Sequence, residues 1–201
     1  MTAWGESTVH AVVVDDLELF RRRVVVALEE GADLDVVGAA ATVPEARRLG
    51  QELPADVVFV GLSALAAEGD VAAGVAALRQ ALPGARIVVL SAPDDEVAVR
   101  DALAAGAHAE VPRDRAVTDA AAVARRVALG EACLAPVQAQ HALDALGAPG
   151  RPWRPTDRER RVLGLLAAPV DPAAVAEGTG LGSSAVGIET ADALARLASS
   201  P

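Results

Sequence analysis

Asp15 and Asp16 stand side by side at the end of the apolar run Val9-His10-Ala11-Val12-Val13-Val14. Two adjacent carboxylates at a strand end either hold a cation or are neutralised by a nearby arginine, since a planar guanidinium can bridge both without a metal. No nucleophile-base pair, glycine-rich phosphate loop or second carboxylate pair accompanies them. His10, His108 and His141 lie far apart, with no carboxylate or cysteine at metal-ligand spacing, and read as surface or packed side chains. Cys133 is the single cysteine, which excludes an internal disulfide and a cysteine-based zinc site. It reads as a small buried hydrophobe. The expectation is a protein that is not an enzyme and has no cofactor or metal.

The elements that must position the acidic pair are short Val/Leu-rich runs at 9–14, 34–37, 57–60 and 87–90, with a weaker one at 109–111. Unbroken β-branched runs suit strands buried on both faces, hence a parallel sheet. Helical segments alternate with them. Phe20, Val24, Val25 and Leu28 form one stripe, and Thr42 with Glu45 and Pro44 makes a capping-box start. Further helices are predicted over 71–81, 96–105 and 117–128. The result is a doubly wound α/β domain with chemistry at the carboxyl ends of its strands, which brings Asp15, Asp16 and Gly61 together.

Segment 136–146 reads as a linker helix, and the breaker-rich loop at 147–152 as a boundary. Beyond it, Thr156-Asp157-Arg158-Glu159 is a second capping box before the stripe Val162, Leu163, Leu165 and Leu166. Asp171-Pro172 opens another helix, Gly178 and Gly180 bracket its end, and Ser183 or Ser184 caps a third. Three short helices with a glycine-containing turn read as a helix-turn-helix. The predicted division is an α/β domain over 1–130, a linker with a helix over 131–152, and a small all-α domain over 153–201.

Composition sets the class. The chain has 201 residues, 52% hydrophobic and 23% charged, with formal net charge −10, which is outside the disordered regime. No apolar run reaches the length of a membrane span and no signal peptide is evident, so a cytoplasmic location is expected. Lysine, asparagine and tyrosine are absent, leaving 18 arginines as the strong cations.

These residues carry a resemblance. The chain resembles an atypical response regulator of the NarL/FixJ family, a receiver domain followed by a LuxR-type helix-turn-helix. Val12-Val13-Val14-Asp15-Asp16-Leu17-Glu18-Leu19-Phe20-Arg21 is similar to the first strand and its acidic pair, and Asp56-Val57-Val58-Phe59-Val60 to the third strand. Ile87-Val88-Val89-Leu90-Ser91-Ala92 is similar to the fourth strand with its switch hydroxyl, and Thr156-Asp157-Arg158-Glu159-Arg160-Arg161-Val162-Leu163 to the opening effector helix. The resemblance implies strand order 2-1-3-4-5. It also shows departures. Gly61 stands at the phosphoacceptor position, Leu62-Ser63-Ala64-Leu65-Ala66-Ala67 replaces the usual loop, Arg113-Asp114 replaces the lysine before an aspartate, and Glu110 stands where an aromatic switch residue belongs. Asp15, Asp16, Ser91 and Arg113 are therefore expected to form a vestigial acidic pocket, with no phosphoacceptor and with Arg113 pairing with Asp15 or Asp16. Ser63 is a poor substitute acceptor, because a serine phosphate needs a kinase of another chemistry.

Charge weighs against strong DNA binding. Residues 1–114 hold 9 arginines against 19 acidic groups, while 151–201 hold 6 of each. Arg158, Arg160, Arg161, Ser183, Ser184 and Arg196 are the candidate DNA contacts, and a neutral domain must gather its cations on one face to bind. The expected function is phosphorylation-independent transcription regulation with weak DNA binding. The alternatives are an interaction module that pairs with another regulator, and a pseudo-receiver that senses a small molecule in a pocket at the apolar loop 61–67. The expected partners are a second copy, through the receiver helices read at the Phe20 to Leu28 stripe, at 96–105 and at 117–128, or another response regulator as a heterodimer.

Overall fold

A computed structural model describes residues 8–50, 52–131 and Thr190. The linker helix, nearly all of the helix-turn-helix reading, and with them Cys133, His141, Arg158, Arg160, Arg161, Ser183, Ser184 and Arg196, lie outside the described residues.

Five strands, β1 (Val9–Val14), β2 (Leu34–Ala40), β3 (Val57–Gly61), β4 (Arg86–Ser91) and β5 (Ala109–Pro112), pair in parallel in the order β2-β1-β3-β4-β5. Between them run α1 (Glu18–Glu29), α2 (Val43–Gly50), α3 (Leu62–Ala66), α4 (Val71–Ala81), α5 (Glu96–Ala104) and α6 (Ala116–Ala128). The unbroken valine runs are explained by two cores. Val12, Val14, Val58, Val60, Ile87 and Val89 face α2 to α5, where they meet Val43, Ala46, Val75, Leu78 and Ala102. Ala11, Val13, Val57, Phe59, Val88 and Leu90 face α1 and α6, where they meet Val24, Leu28, Ala120, Ala124 and Val127. The central residues of β1, β3 and β4 alternate between two apolar faces, so residues 11–14, 57–60 and 87–90 are apolar at every position.

Helix starts follow local chemistry. Thr42 Oγ1 accepts from the Glu45 amide at 3.3 Å, but the Glu45 carboxylate reaches back to the amide of Ala41, one residue before the cap. Asp70 caps α4 by accepting from the Ala73 amide at 2.7 Å. One predicted feature is overturned. Residues 62–66 form a helix, not an apolar loop, and Leu62, Ala64 and Leu65 are buried. Gly74 of α4 lets the two helices touch, since a Cβ there would lie 2.5 Å from the Leu65 carbonyl oxygen. The segment thus fills the core in place of lining a pocket. An open groove does lie between the starts of α4 and α5, but of residues 61–67 only Ala66 borders it. Among the described residues, no helix is long and apolar enough to cross a membrane.

Candidate functional site

The strand order reverses between β1 and β3, and a crevice opens outside the carboxyl ends of strands at such a point. Asp15, the residue after β1, is fully buried there. Its Oδ1 accepts from the Leu17 amide at 3.0 Å and from Arg113 Nη1 at 3.2 Å, and its Oδ2 accepts from Arg113 Nη2 at 2.7 Å. Arg113 follows β5, and its amide donates to the Ser91 carbonyl oxygen at 2.8 Å, which anchors the residue beside β4. The guanidinium lies over the Phe20 ring, 4.6 Å from its centroid. Arg21 from α1 donates to the Asp15 carbonyl oxygen. Burial raises the Asp15 carboxyl above the ordinary carboxylate value, the Leu17 amide and Arg113 oppose that shift, and the neighbouring Asp16 charge adds to it.

Arg113 forks onto Asp15 alone. Asp16 is exposed and accepts instead from Ser63 Oγ at 2.8 Å, so Ser63 is a hydrogen-bond donor in the first turn of α3. Gly61 sits at the end of β3 with extended backbone and borders the fork directly. A Cβ at residue 61 would meet Asp15 Oδ2 at 2.4 Å and Arg113 Nη2 at 2.8 Å. The space of a side chain at 61 is therefore occupied by the ion pair. Ser91, nearly inaccessible at the end of β4, donates its hydroxyl proton to Glu110 Oε1 at 2.5 Å. Burial raises the Glu110 carboxyl, and the Ser91 hydroxyl opposes that shift.

Asp15, Arg113 and Gly61 are thus brought into contact, Asp16 joins them through the chain and Ser63, and Ser91 is held on Glu110 beside the Arg113 backbone. The roles of Phe20, Ser63 and the Leu17 amide were not legible in the sequence. Phe20 reads as part of an apolar stripe, and nothing local marks it as a platform for a cation. Chemically, the arrangement presents Asp15 with both oxygens committed to N–H donors. A hard divalent cation needs such oxygens free. Among the described residues, no group of three or more His, Cys, Asp or Glu side chains is placed to hold a metal.

No protein-family model matches the sequence, and no curated protein matches it. Solved structures do. The signal receiver domain of the response regulator NarL from Mycobacterium tuberculosis is 31% identical, with a TM-score of 0.55, over 62% of this chain and 99% of that one. The chain belongs to the NarL family of response regulators. The RcsB response regulator of Salmonella typhimurium, in a structure concerned with DNA interaction, matches at 18% identity and TM-score 0.59 over 96% of this chain and 93% of that one. A structure of two RcsB dimers bound to two parallel DNAs matches at 18% identity and TM-score 0.60 over the same shares. In this NarL-family receiver the crevice at the β1/β3 reversal is filled from within by Arg113.

Proposed function

We propose that this response regulator acts in transcription regulation independently of phosphorylation. The observation that carries the reading is the Arg113–Asp15 fork lying in the space that a side chain at position 61 would need. Glycine offers no carboxylate to phosphorylate, and the acidic partner that would help to hold a divalent cation is neutralised by an internal one. The pocket of Asp15, Asp16, Ser91 and Arg113 is then vestigial as a phosphotransfer site, and Ser91 serves Glu110. The domain division proposed is a receiver over 1–130, a linker over 131–152 and a helix-turn-helix over 153–201. Intact-mass measurement after incubation with acetyl phosphate and magnesium tests the reading. An unchanged mass is expected, and a stable phospho-adduct on the receiver overturns it.

Self-association through the receiver is part of the proposal, and the exposed apolar residues select the face. Leu17, Leu19, Val26, Val117 and Leu129 lie on or beside α1 and α6, whereas α5 contributes only Val97. Apolar side chains gathered on adjacent helices mark an interface. The DNA contacts proposed are Arg158, Arg160, Arg161, Ser183, Ser184 and Arg196. The balance of 6 arginines and 6 acidic residues over 151–201 keeps open a second reading, pairing with another regulator that supplies the DNA affinity. Sensing of a small molecule at 61–67 loses its support, because that segment is packed helix.

A further inference from the structure

On the face of the sheet opposite α1 and α6, the open groove between the starts of α4 and α5 has a volume of about 480 Å³. Both helices give it apolar surface. Val71 and Ala98 are half-buried against the core, whereas Val97 is 61% exposed. Four carboxylates line the same groove: Asp70 at the head of α4, Asp94 and Asp95 at the head of α5, and Asp101 further along α5. Among the described residues, no cationic side chain lines it.

Part of this charge has a local use. Asp70 Oδ1 accepts from the Ala73 amide at 2.7 Å, and Asp95 Oδ2 accepts from the Ala92 amide at 2.6 Å. These two also offset the positive ends of their helices. Asp101 Oδ1 lies 3.0 Å from Arg100 Nη2. In each of the three the second carboxylate oxygen stays outside these bonds, and Asp94 adds a full charge beside them.

The charge selects the class of occupant. Four carboxylates repel a phosphate backbone and an anionic lipid surface. They are not gathered to hold an ion, since among the described residues no group of three or more His, Cys, Asp or Glu side chains is placed to do so. A small ligand buries most of its surface in its cleft, and this groove is open. Carboxylates spread beside apolar surface complement a partner whose positive charges are spread in the same way between apolar side chains.

We propose that the groove between α4 and α5 docks a cationic, amphipathic peptide segment of a partner protein. Val71, Val97 and Ala98 take its apolar side chains, and the four aspartates take its arginine or lysine heads. The groove and the α1–α6 face lie on opposite sides of the sheet, so the partner binds without displacing a second copy from that face.

Titration of a capped peptide of alternating arginine and leucine into the full-length protein, followed by NMR, tests the site. Saturable amide shifts at Val71, Val97 and Ala98 are expected, with Kd on the order of 0.1 mM. The double variant Asp94→Asn/Asp101→Asn weakens binding about fivefold through loss of two exposed ion pairs. Val97→Ser weakens it roughly threefold through lost apolar contact. The double variant Glu29→Gln/Glu30→Gln, which removes as much charge from the end of α1, leaves it unchanged. Replacing the leucines of the peptide by serine weakens binding, and replacing its arginines by glutamate abolishes it. Shifts spread over the acidic surface in place of the groove, equal affinity for the arginine–serine peptide, or undiminished binding by Asp94→Asn/Asp101→Asn overturn the proposal.

Discussion

Arg113 is one residue whose replacement should be felt both in stability and in the pocket. Arg113→Ala leaves Asp15 buried without its counter-charge, and breaking such a pair costs about 3 kcal/mol. Chemical denaturation is expected to show that loss, and Arg113→Ala combined with Asp15→Asn to recover most of it. Gly61→Asp is expected not to restore phosphorylation by itself, since its Cβ would fall on Asp15 Oδ2 and Arg113 Nη2. Intact mass with acetyl phosphate and magnesium checks this, and denaturation should show the variant destabilised by roughly 1–3 kcal/mol through overpacking. His108 gives the chain an acid-labile point. The ring is pushed down from 6.5 to about 4, first by burial and then by Arg86 and Arg79. The unfolded chain therefore takes a proton below about pH 6.5 that the folded chain refuses until about pH 4. Stability is present in full above that window and falls as pH drops through it, by at most about 3 kcal/mol. Glu110 acts in the opposite sense, because its raised value favours the protonated folded state. Denaturation between pH 4 and 7 should show a drop toward acid that flattens in His108→Gln, whose amide oxygen can still accept from Ile87.

Among the elements, α4 shows tertiary packing overruling local preference. Alanine is favoured over glycine inside a helix by about 1 kcal/mol. Gly74→Ala is nevertheless expected to destabilise, because the added Cβ would lie 2.5 Å from the Leu65 carbonyl oxygen and 2.7 Å from its Cα. Backbone cannot move aside as a side chain does, so a net loss of about 2 kcal/mol is expected in denaturant unfolding. The same contact explains why 62–66 becomes helix. It is five residues long, too short to show a helical period, and is set by burial of Leu62 and Leu65 against α4 and the sheet. The longer helices were legible because their periods are: 71–81 coincides with α4, and 96–105 and 117–128 agree with α5 and α6 to within a residue.

For the whole molecule, two measurements bear on association and DNA. If α1 and α6 form the self-association face, Leu19→Glu and Val26→Glu shift the full chain toward monomer in analytical ultracentrifugation, while Val97→Glu on α5 does not. DNA binding is expected to be weak and to collapse with salt, because a domain with as many acidic groups as arginines releases few counterions and the receiver brings a surplus of negative charge. Fluorescence anisotropy against a promoter library at low and physiological salt checks this. Tight, sequence-specific binding by the unpartnered chain at physiological salt would contradict it.

What the sequence determined by itself is the frame. The Val/Leu-rich runs, wholly apolar at 57–60 and 87–90, require strands covered on both faces, and helical stripes between them require the crossovers that make the sheet parallel. That frame carries Asp15, Gly61 and Arg113 to one edge, with Gly61 visibly missing a carboxylate. The choice among partners belonged to tertiary structure. Asp15 and Asp16 are adjacent and chemically equal in the sequence, yet one is buried under Arg113 and Phe20 and the other lies exposed on Ser63. Ser91 and Glu110, 19 residues apart, meet only because β4 and β5 are neighbours. Hydrophobic periodicity is local and survives in one dimension, whereas which side chain neutralises a given charge depends on distances of a few ångström between residues up to 98 positions apart.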